Sequence, residues 1–525
     1  MRPFEALLIA ATAAGVLRST AFAGFGWPSW SPAMPLAVAA LLALHLLLEG
    51  WRPQMLPAYA VAAAWLAAQA VAWLFPASLS GTLAPRASIG WIAAGGAGCL
   101  ALLASLGLAA VRPVFVTPAP SGKLQVGTAL VPLHPGRDEP VFQVWYPARP
   151  GSLARPAPLI LEVRAADRRG TLSRSAALLN APIAPEPARL PVLLFFPGWG
   201  GIPSQNTILI QDLASHGYVV AAADAWSPAF YPDDPLAARD LATPLVFDSD
   251  EAVAVAAAAG TRNAVRQSAL ARRLLDRLAA LDARDPSGRL TGRLALDRVG
   301  ILGFSFGGSV AVETAVGNPR IAAVANLDGG VFTDAYQRGF DAPYLLLSEP
   351  PATKADLLSP DPEVRREAAS TLEDEARLAA FLERHGGVRA IINGAAHGNF
   401  TDAPLLRRWR KLGGRIDPDR ARAIVDTLLQ AFFDHLVRGA PAPVPDRLPA
   451  YPEVTIMRWP APAEAAPTHA GLAPAPMSQP PAPEWRQPRH ASRDDRSRPA
   501  ERAASLAAAA FAAEMDLRRP GALPP

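Results

Sequence analysis

Ser305 lies in the run Gly303-Phe304-Ser305-Phe306-Gly307-Gly308, after the apolar stretch Val299–Gly303 and before the alanine- and valine-rich stretch Ser309–Val316. The first stretch reads as a buried strand and the second as a helix, which leaves the serine on the turn between them. Glycines on both sides suit such a turn, because strand and helix backbones approach too closely there for larger side chains. A serine hydroxyl is a weak nucleophile at neutral pH, so acyl-transfer chemistry at Ser305 requires a histidine base and an acid to orient it.

The chain holds eight histidines. His45 falls in a long apolar run, and His469 and His490 fall in a Pro/Ala-rich tail. His216 and His385 precede glycines near helix ends, where histidine commonly caps the helix and meets its dipole. His435 belongs to an amphipathic stretch, and His134 lies in a Pro-rich loop before the serine. His397 remains, on the loop Asn393–Phe400 that follows the strand-like Val388–Ile392 and among small neighbours that leave its ring accessible.

Two carboxyls compete for the acid. Asp328 ends the strand-like run Ile321–Leu327, and Glu349 follows the run Tyr344–Ser348. The strand–G-x-S-x-G–helix pattern with an acid and then a histidine downstream is the order of an α/β-hydrolase. Many such enzymes carry their acid at the position of Glu349, but Asp328 is preferred, being at the carboxyl end of a buried strand where site groups collect. The oxyanion needs two N–H donors: Phe306 follows the nucleophile, and the Gly-rich loop after Val192–Phe196 offers Gly198, Trp199 or Gly200.

Several segments together resemble the platelet-activating-factor acetylhydrolases of the intracellular type II and plasma kinds and their bacterial relatives. They are Gly303–Gly308, the helix-and-strand segment Asp212–Asp224, Asn326–Gly330 with Asp328, and Ala396–Asp402 with His397. The resemblance covers residues from about 120 to about 440 and implies a triad of Ser305, Asp328 and His397, with Trp199 and Phe306 as oxyanion donors. It implies a serine esterase that removes short or oxidised acyl chains from phospholipids, a 1-alkyl-2-acetylglycerophosphocholine esterase-like activity. Two positions depart from that family: Phe304 stands where it usually has histidine, and Pro197-Gly198-Trp199 where a Ser-His-Gly-type sequence is common. The Pro-Gly-aromatic-Gly form is similar to cutinase-like polyesterases and dienelactone-hydrolase-like carboxylesterases, which stand as the alternative. An alternative of another class is a non-catalytic membrane binding module.

The first 115 residues carry four apolar stretches, over residues 4–25, 33–48, 56–75 and 87–111. Each approaches the roughly 20 residues that cross a bilayer. Trp27, Trp30, Trp51, Trp73 and Trp91 lie near their ends, as interfacial aromatics do. The expected architecture is an all-α transmembrane domain of four helices over residues 1–115, then an α/β-hydrolase domain over 116–445 with a mostly parallel sheet and helices on both faces. A Pro/Ala-rich, unstructured tail over 446–525 completes the division. With Arg2, Arg52, Arg112 and Lys123 against Arg86, the positive-inside rule favours a multi-pass protein of the cell membrane with its hydrolase on the cytoplasmic side.

Within the hydrolase, residues 124–131 and 141–146 read as a leading hairpin, and 248–281 as two helices forming a cap over the site. The net charge of +4 is small for 525 residues, and no basic stripe interleaved with aromatics points to nucleic acid. The single cysteine, Cys99, lies in the fourth apolar stretch, so the hydrolase holds no disulfide. No H-E-x-x-H, C-x-x-C or phosphate-cradling loop occurs, and neither a cofactor nor a metal is expected. The partners expected are an ester or phospholipid substrate and membrane lipid.

Overall fold

A computed structural model describes residues 2–20, 33–74, 89–111, 117–136, 140–159, 173–405, 412–439 and 450–460. The chain divides into two compact units, one over Met1–Thr117 with Pro158–Ser175, the other over Pro118–Ala157 with Ala176–Pro525.

The first unit holds four helices in the expected places: α1 Pro3–Thr20, α2 Ala33–Leu44, α3 Leu56–Leu74 and α4 Ile89–Val111. Leu8, Val16, Val38, Met55, Ala58, Ala62, Trp65 and Leu102 pack inside it. Among the described residues, only the segments Pro53–Leu74 and Ile92–Val111 are both long and apolar enough to cross a membrane, and Ala33–Glu49 is a shorter apolar helix. α1 carries Glu5 and Arg18, which interrupt its apolar run. Arg86, Arg112, Trp27 and Trp30 lie outside the described residues, as does all of the tail after residue 460.

Among the described residues, the second unit is built on an eleven-stranded sheet in the order β11-β10-β9-β8-β7-β5-β6-β2-β1-β4-β3. The strands are β1 Val126–Pro132, β2 Val141–Pro147, β3 Pro156–Leu159, β4 Ser173–Leu179, β5 Leu190–Phe196 and β6 Val219–Ala223. They continue with β7 Leu294–Phe304, β8 Ile321–Leu327, β9 Tyr344–Ser348, β10 Gly387–Ile392 and β11 Val454–Trp459. From β6 through β5, β7, β8 and β9 to β10 every pairing is parallel. β1 and β2 form the expected antiparallel hairpin, and β2 joins β6 antiparallel.

Both faces of the parallel strands are covered, which is why those strands are continuous apolar runs rather than alternating ones. Val192, Leu194 and Phe196 of β5 join one core, while Leu193 and Phe195 join the other. On the first face lie α6 Asp250–Ala283, α7 Phe306–Ala315 and α8 Pro362–His385. On the second lie α5 Thr207–Ser215 and α9 Pro418–Leu436. Each fully buried Leu, Val, Ile or Phe of these two cores contributes roughly 1.5–3 kcal/mol over its exposed state.

Two expectations are corrected. Residues 250–283 form one helix of 34 residues, started by the Ser249 Oγ cap on the Ala252 N–H at 3.1 Å, and not two helices. It is the crossover from β6 to β7 packed on the sheet, not a separate cap, and Gly260 in its middle is a contact point. A Cβ there would lie 2.6 Å from the Phe332 ring and 3.0 Å from that of Trp199. The boundary at 445 also falls short, because Val454–Trp459 pairs antiparallel with Gly387–Ile392 along its whole length. Backbone pairing at the sheet edge orders this segment despite the proline-rich sequence on either side.

Candidate active site

β7 ends at Phe304, and Ser305 turns the chain into α7 with φ 53° and ψ −120°, a left-handed conformation that costs a non-glycine residue energy. The turn is closed by the Ser305 N–H to Leu327 C=O bond of 2.8 Å, which ties it to the end of β8. Gly307 is needed for close approach: a Cβ on it would lie 2.0 Å from the Phe196 carbonyl oxygen at the end of β5.

Asp328 follows β8 directly and is itself left-handed, with φ 56°. Its N–H donates to the Leu347 carbonyl at 2.8 Å, and its Oδ1 accepts the Glu349 N–H at 2.9 Å. The loop behind it is held from two sides. Asn326 Oδ1 accepts the Gly329 N–H at 2.8 Å while its Nδ2 reaches Tyr336 and Tyr344, and Asp374 of α8 accepts the Val331 N–H at 2.9 Å.

His397 stands on a short turn after β10, pinned by Asn399 Oδ1, which accepts the N–H groups of Ala396 at 2.9 Å and Gly414 at 2.7 Å. Its Nδ1 lies 2.7 Å from Asp328 Oδ2, and its Nε2 lies 3.0 Å from Ser305 Oγ. With a carboxylate at Nδ1, the tautomer carries its proton there, and Nε2 is left to accept from the serine hydroxyl. Burial alone would lower the imidazole pKa, but the hydrogen bond and charge of Asp328 outweigh it and the pKa is raised. Phe304 packs against the His397 ring with centroids 4.8 Å apart. The departure at Phe304 thus fills the space beside the base with an apolar ring.

Of the three oxyanion candidates after β5, Gly198 is excluded because its N–H donates to Gln205 Oε1 at 3.0 Å. Among the described residues, the N–H groups of Trp199 and Phe306 donate to no backbone carbonyl. Their rings pack edge to face with centroids 5.2 Å apart, and Trp226 and Phe332 complete the aromatic cluster. The Trp199 indole N–H is fixed to the Thr243 carbonyl at 3.0 Å.

Gln205 was not legible in the sequence, yet it joins two parts of the site. Its side chain braces the oxyanion loop, and its carbonyl accepts the Asp402 N–H, 2.9 Å away, from the histidine loop. Asp402 in turn accepts the Ile208 N–H at 2.8 Å, at the start of α5. Burial pushes the Asp402 carboxyl up to about 8 against the opposing pull of these N–H groups. Glu349, the rival carboxyl, is not the partner of His397 Nδ1, which lies 2.7 Å from Asp328 Oδ2.

Among the described residues, two groups bring possible metal-ligand atoms within 4.8 Å of one another: Asp328, Glu349 and His397, and Glu5, His45 and Glu49. In both, the histidine nitrogens are engaged, by Asp328 and Ser305 in the first and by Glu49 and Tyr59 in the second. Arg2 and Arg52 already supply the positive charge around Glu5.

Residues 176–339 match the dienelactone hydrolase family. That segment contains β5, Trp199, the Ser305 elbow and Asp328, and ends before Glu349 and His397. Among solved structures, the chain is similar to a ferulic acid esterase from Streptomyces cinnamoneus, at 25% identity and a TM-score of 0.46 over 66% of this chain and 99% of that one. No curated protein matches the chain. The mostly parallel sheet with its strand–turn–helix elbow fits the α/β-hydrolase fold, and the family match over residues 176–339 supports a hydrolase that acts on esters.

Proposed function

We propose that the sheet unit is a serine esterase working through an acyl-enzyme, with Ser305, His397 and Asp328 as its triad. The observation that carries this is the relay Ser305 Oγ–His397 Nε2–Asp328 Oδ2, at 3.0 and 2.7 Å, beside the N–H groups of Trp199 and Phe306. Ser305 Oγ attacks the ester carbonyl carbon as its proton passes to His397 Nε2, and Asp328 stabilises the imidazolium. The oxyanion is met by the Trp199 and Phe306 N–H groups. Collapse expels the alkoxide, which takes the proton from His397. Water then attacks the acyl-enzyme with His397 again as base, and a carboxylic acid leaves with Ser305 restored.

The substrate we propose is a phospholipid carrying a short or oxidised acyl chain. Its support is the resemblance of four site segments to the platelet-activating-factor acetylhydrolases, together with the helical unit, which exposes Leu36, Leu47, Trp73, Leu100, Leu103 and Val111. Exposed apolar side chains on helices of this length suit a bilayer, so we further propose a multi-pass membrane protein. A second reading, a small carboxylic ester of the dienelactone type, is favoured by the match over 176–339.

The test is hydrolysis of p-nitrophenyl esters from acetyl to dodecanoyl, and of vesicles containing phosphatidylcholine with an acetyl group at its second position, by the detergent-solubilised full chain. Activity on short chains and on the vesicles, lost by a factor of about 10⁴ or more in Ser305→Ala, is expected. Activity on p-nitrophenyl acetate without release from vesicles selects the small-ester reading. A Ser305→Ala chain as active as the native one, or no ester cleaved at all, sinks the esterase reading.

A further inference from the structure

Asp328 and Glu349 leave neighbouring parallel strands, and both come to the same imidazole. The strand ends are locked together by the Asp328 N–H to Leu347 bond and the Glu349 N–H to Asp328 Oδ1 bond. One oxygen of each carboxyl and a ring nitrogen of His397 all lie within 4.8 Å of one another. The Glu349 carboxyl thus lies beside both the ring of His397 and the carboxyl of Asp328. Around it stand Asp328, His397 and Glu367 of α8. Next to it along β9, Ser348 accepts from Arg389, which is itself paired with Glu375.

We propose that Glu349 is a positioning residue of the relay, a second carboxyl that stands beside the His397 ring and adds its charge to that of Asp328 behind the imidazolium formed during ester cleavage. The proposal rests on the esterase reading above. Burial, and then the adjacent charge of Asp328, push the Glu349 carboxyl up to about 8. It is therefore protonated at neutral pH and ionises only at mildly alkaline pH, releasing its proton to solvent. The resting base is neutral imidazole and the transition state carries imidazolium. A new negative charge beside it favours the transition state over the ground state, so the rate rises as Glu349 ionises.

The experiment is the pH dependence of kcat/KM for p-nitrophenyl butyrate with the detergent-solubilised full chain, spontaneous hydrolysis subtracted, from about pH 5 to about pH 10. The native profile is expected to climb in two steps, the first from His397 above the ordinary histidine range and the second near pH 8, worth about three- to tenfold. Glu349→Gln is expected to keep the first step and lose the second, a change that a purely structural defect, lowering the rate at every pH, does not produce. A native profile with a single step overturns the assignment, even should Glu349→Gln fail to fold. A second step retained in folded Glu349→Gln also overturns it. Ser305→Ala separates the two readings: if it stays active the esterase reading fails, whereas an inactive Ser305→Ala beside an unchanged Glu349→Gln profile removes only Glu349.

Discussion

The two units of this chain distribute polarity in opposite ways. In the sheet unit, Leu, Val, Ile and Phe fill both layers between strands and helices, and the groups that could do chemistry stand at the carboxyl ends of the strands. In the helical unit several ionisable groups are inside and several leucines outside. Glu5 is fully buried and takes hydrogen bonds from Arg2 Nε at 2.9 Å and Arg52 Nη1 at 2.9 Å, while His45, also buried, bridges Glu49 at 2.9 Å and Tyr59 at 2.5 Å. Leu100 and Leu103 are 68% and 59% exposed. The first pattern removes apolar area from water; the second is what the proposed bilayer setting would favour, since lipid makes exposed leucine harmless and charge pairs turn inward.

The largest break in this comparison should come at the rim. Asp328→Asn leaves the volume unchanged but turns the hydrogen bond at His397 Nδ1 to the wrong tautomer, so kcat is expected to fall roughly 10⁴-fold with little change in the thermal midpoint. If the midpoint fell and kcat did not, the charge at the rim would be structural, like those in the helical unit. The converse substitution is Arg52→Ala. It leaves Glu5 with one fewer cation in a buried setting and is expected to cost about 3–5 kcal/mol, while turnover by the sheet unit is unchanged. Urea or heat denaturation followed on the helical unit, with esterase assays in parallel, checks both halves. A smaller effect, about 2.5–3.5 kcal/mol against membrane insertion, is expected for Leu103→Arg at the centre of α4. An insertion assay that registers no cost there would mean that the exposed leucines do not face lipid, and the comparison would need another explanation.

Much of the sheet unit was legible because its signals are local. Ile321–Leu327 and Tyr344–Ser348 are continuous apolar runs with turn residues after them, and their strands begin and end where the sequence suggests. The elbow needs glycines at fixed offsets from Ser305, and they are visible in any reading of the chain. What escaped was set by partners far away in sequence. Val454–Trp459 becomes a strand through β10, and α6 stays one helix because Gly260 meets Phe332 and Trp199 rather than ending a segment. The long amphipathic helix over Pro362–His385 went unassigned, although it supplies Asp374 to the loop after Asp328. Gln205 looked like an ordinary loop residue until the oxyanion and histidine loops met on it.

The sequence by itself determined the candidate nucleophile, the candidate base and the order of the elements that carry them, because a strained turn, a strand end and a run of apolar residues are written in consecutive residues. The sequence preferred Asp328 over Glu349, but only the tertiary structure shows which carboxyl meets the Nδ1 of His397. Asp328 and Glu349 each follow a buried parallel strand. Their difference is lateral position in the sheet: β8 pairs directly with β7, which leads into Ser305, and Asp328 meets His397 Nδ1 at 2.7 Å, while Glu349 follows the next strand and lies beside the same histidine. Strand order is a property of long-range pairing, and no stretch of consecutive residues encodes it.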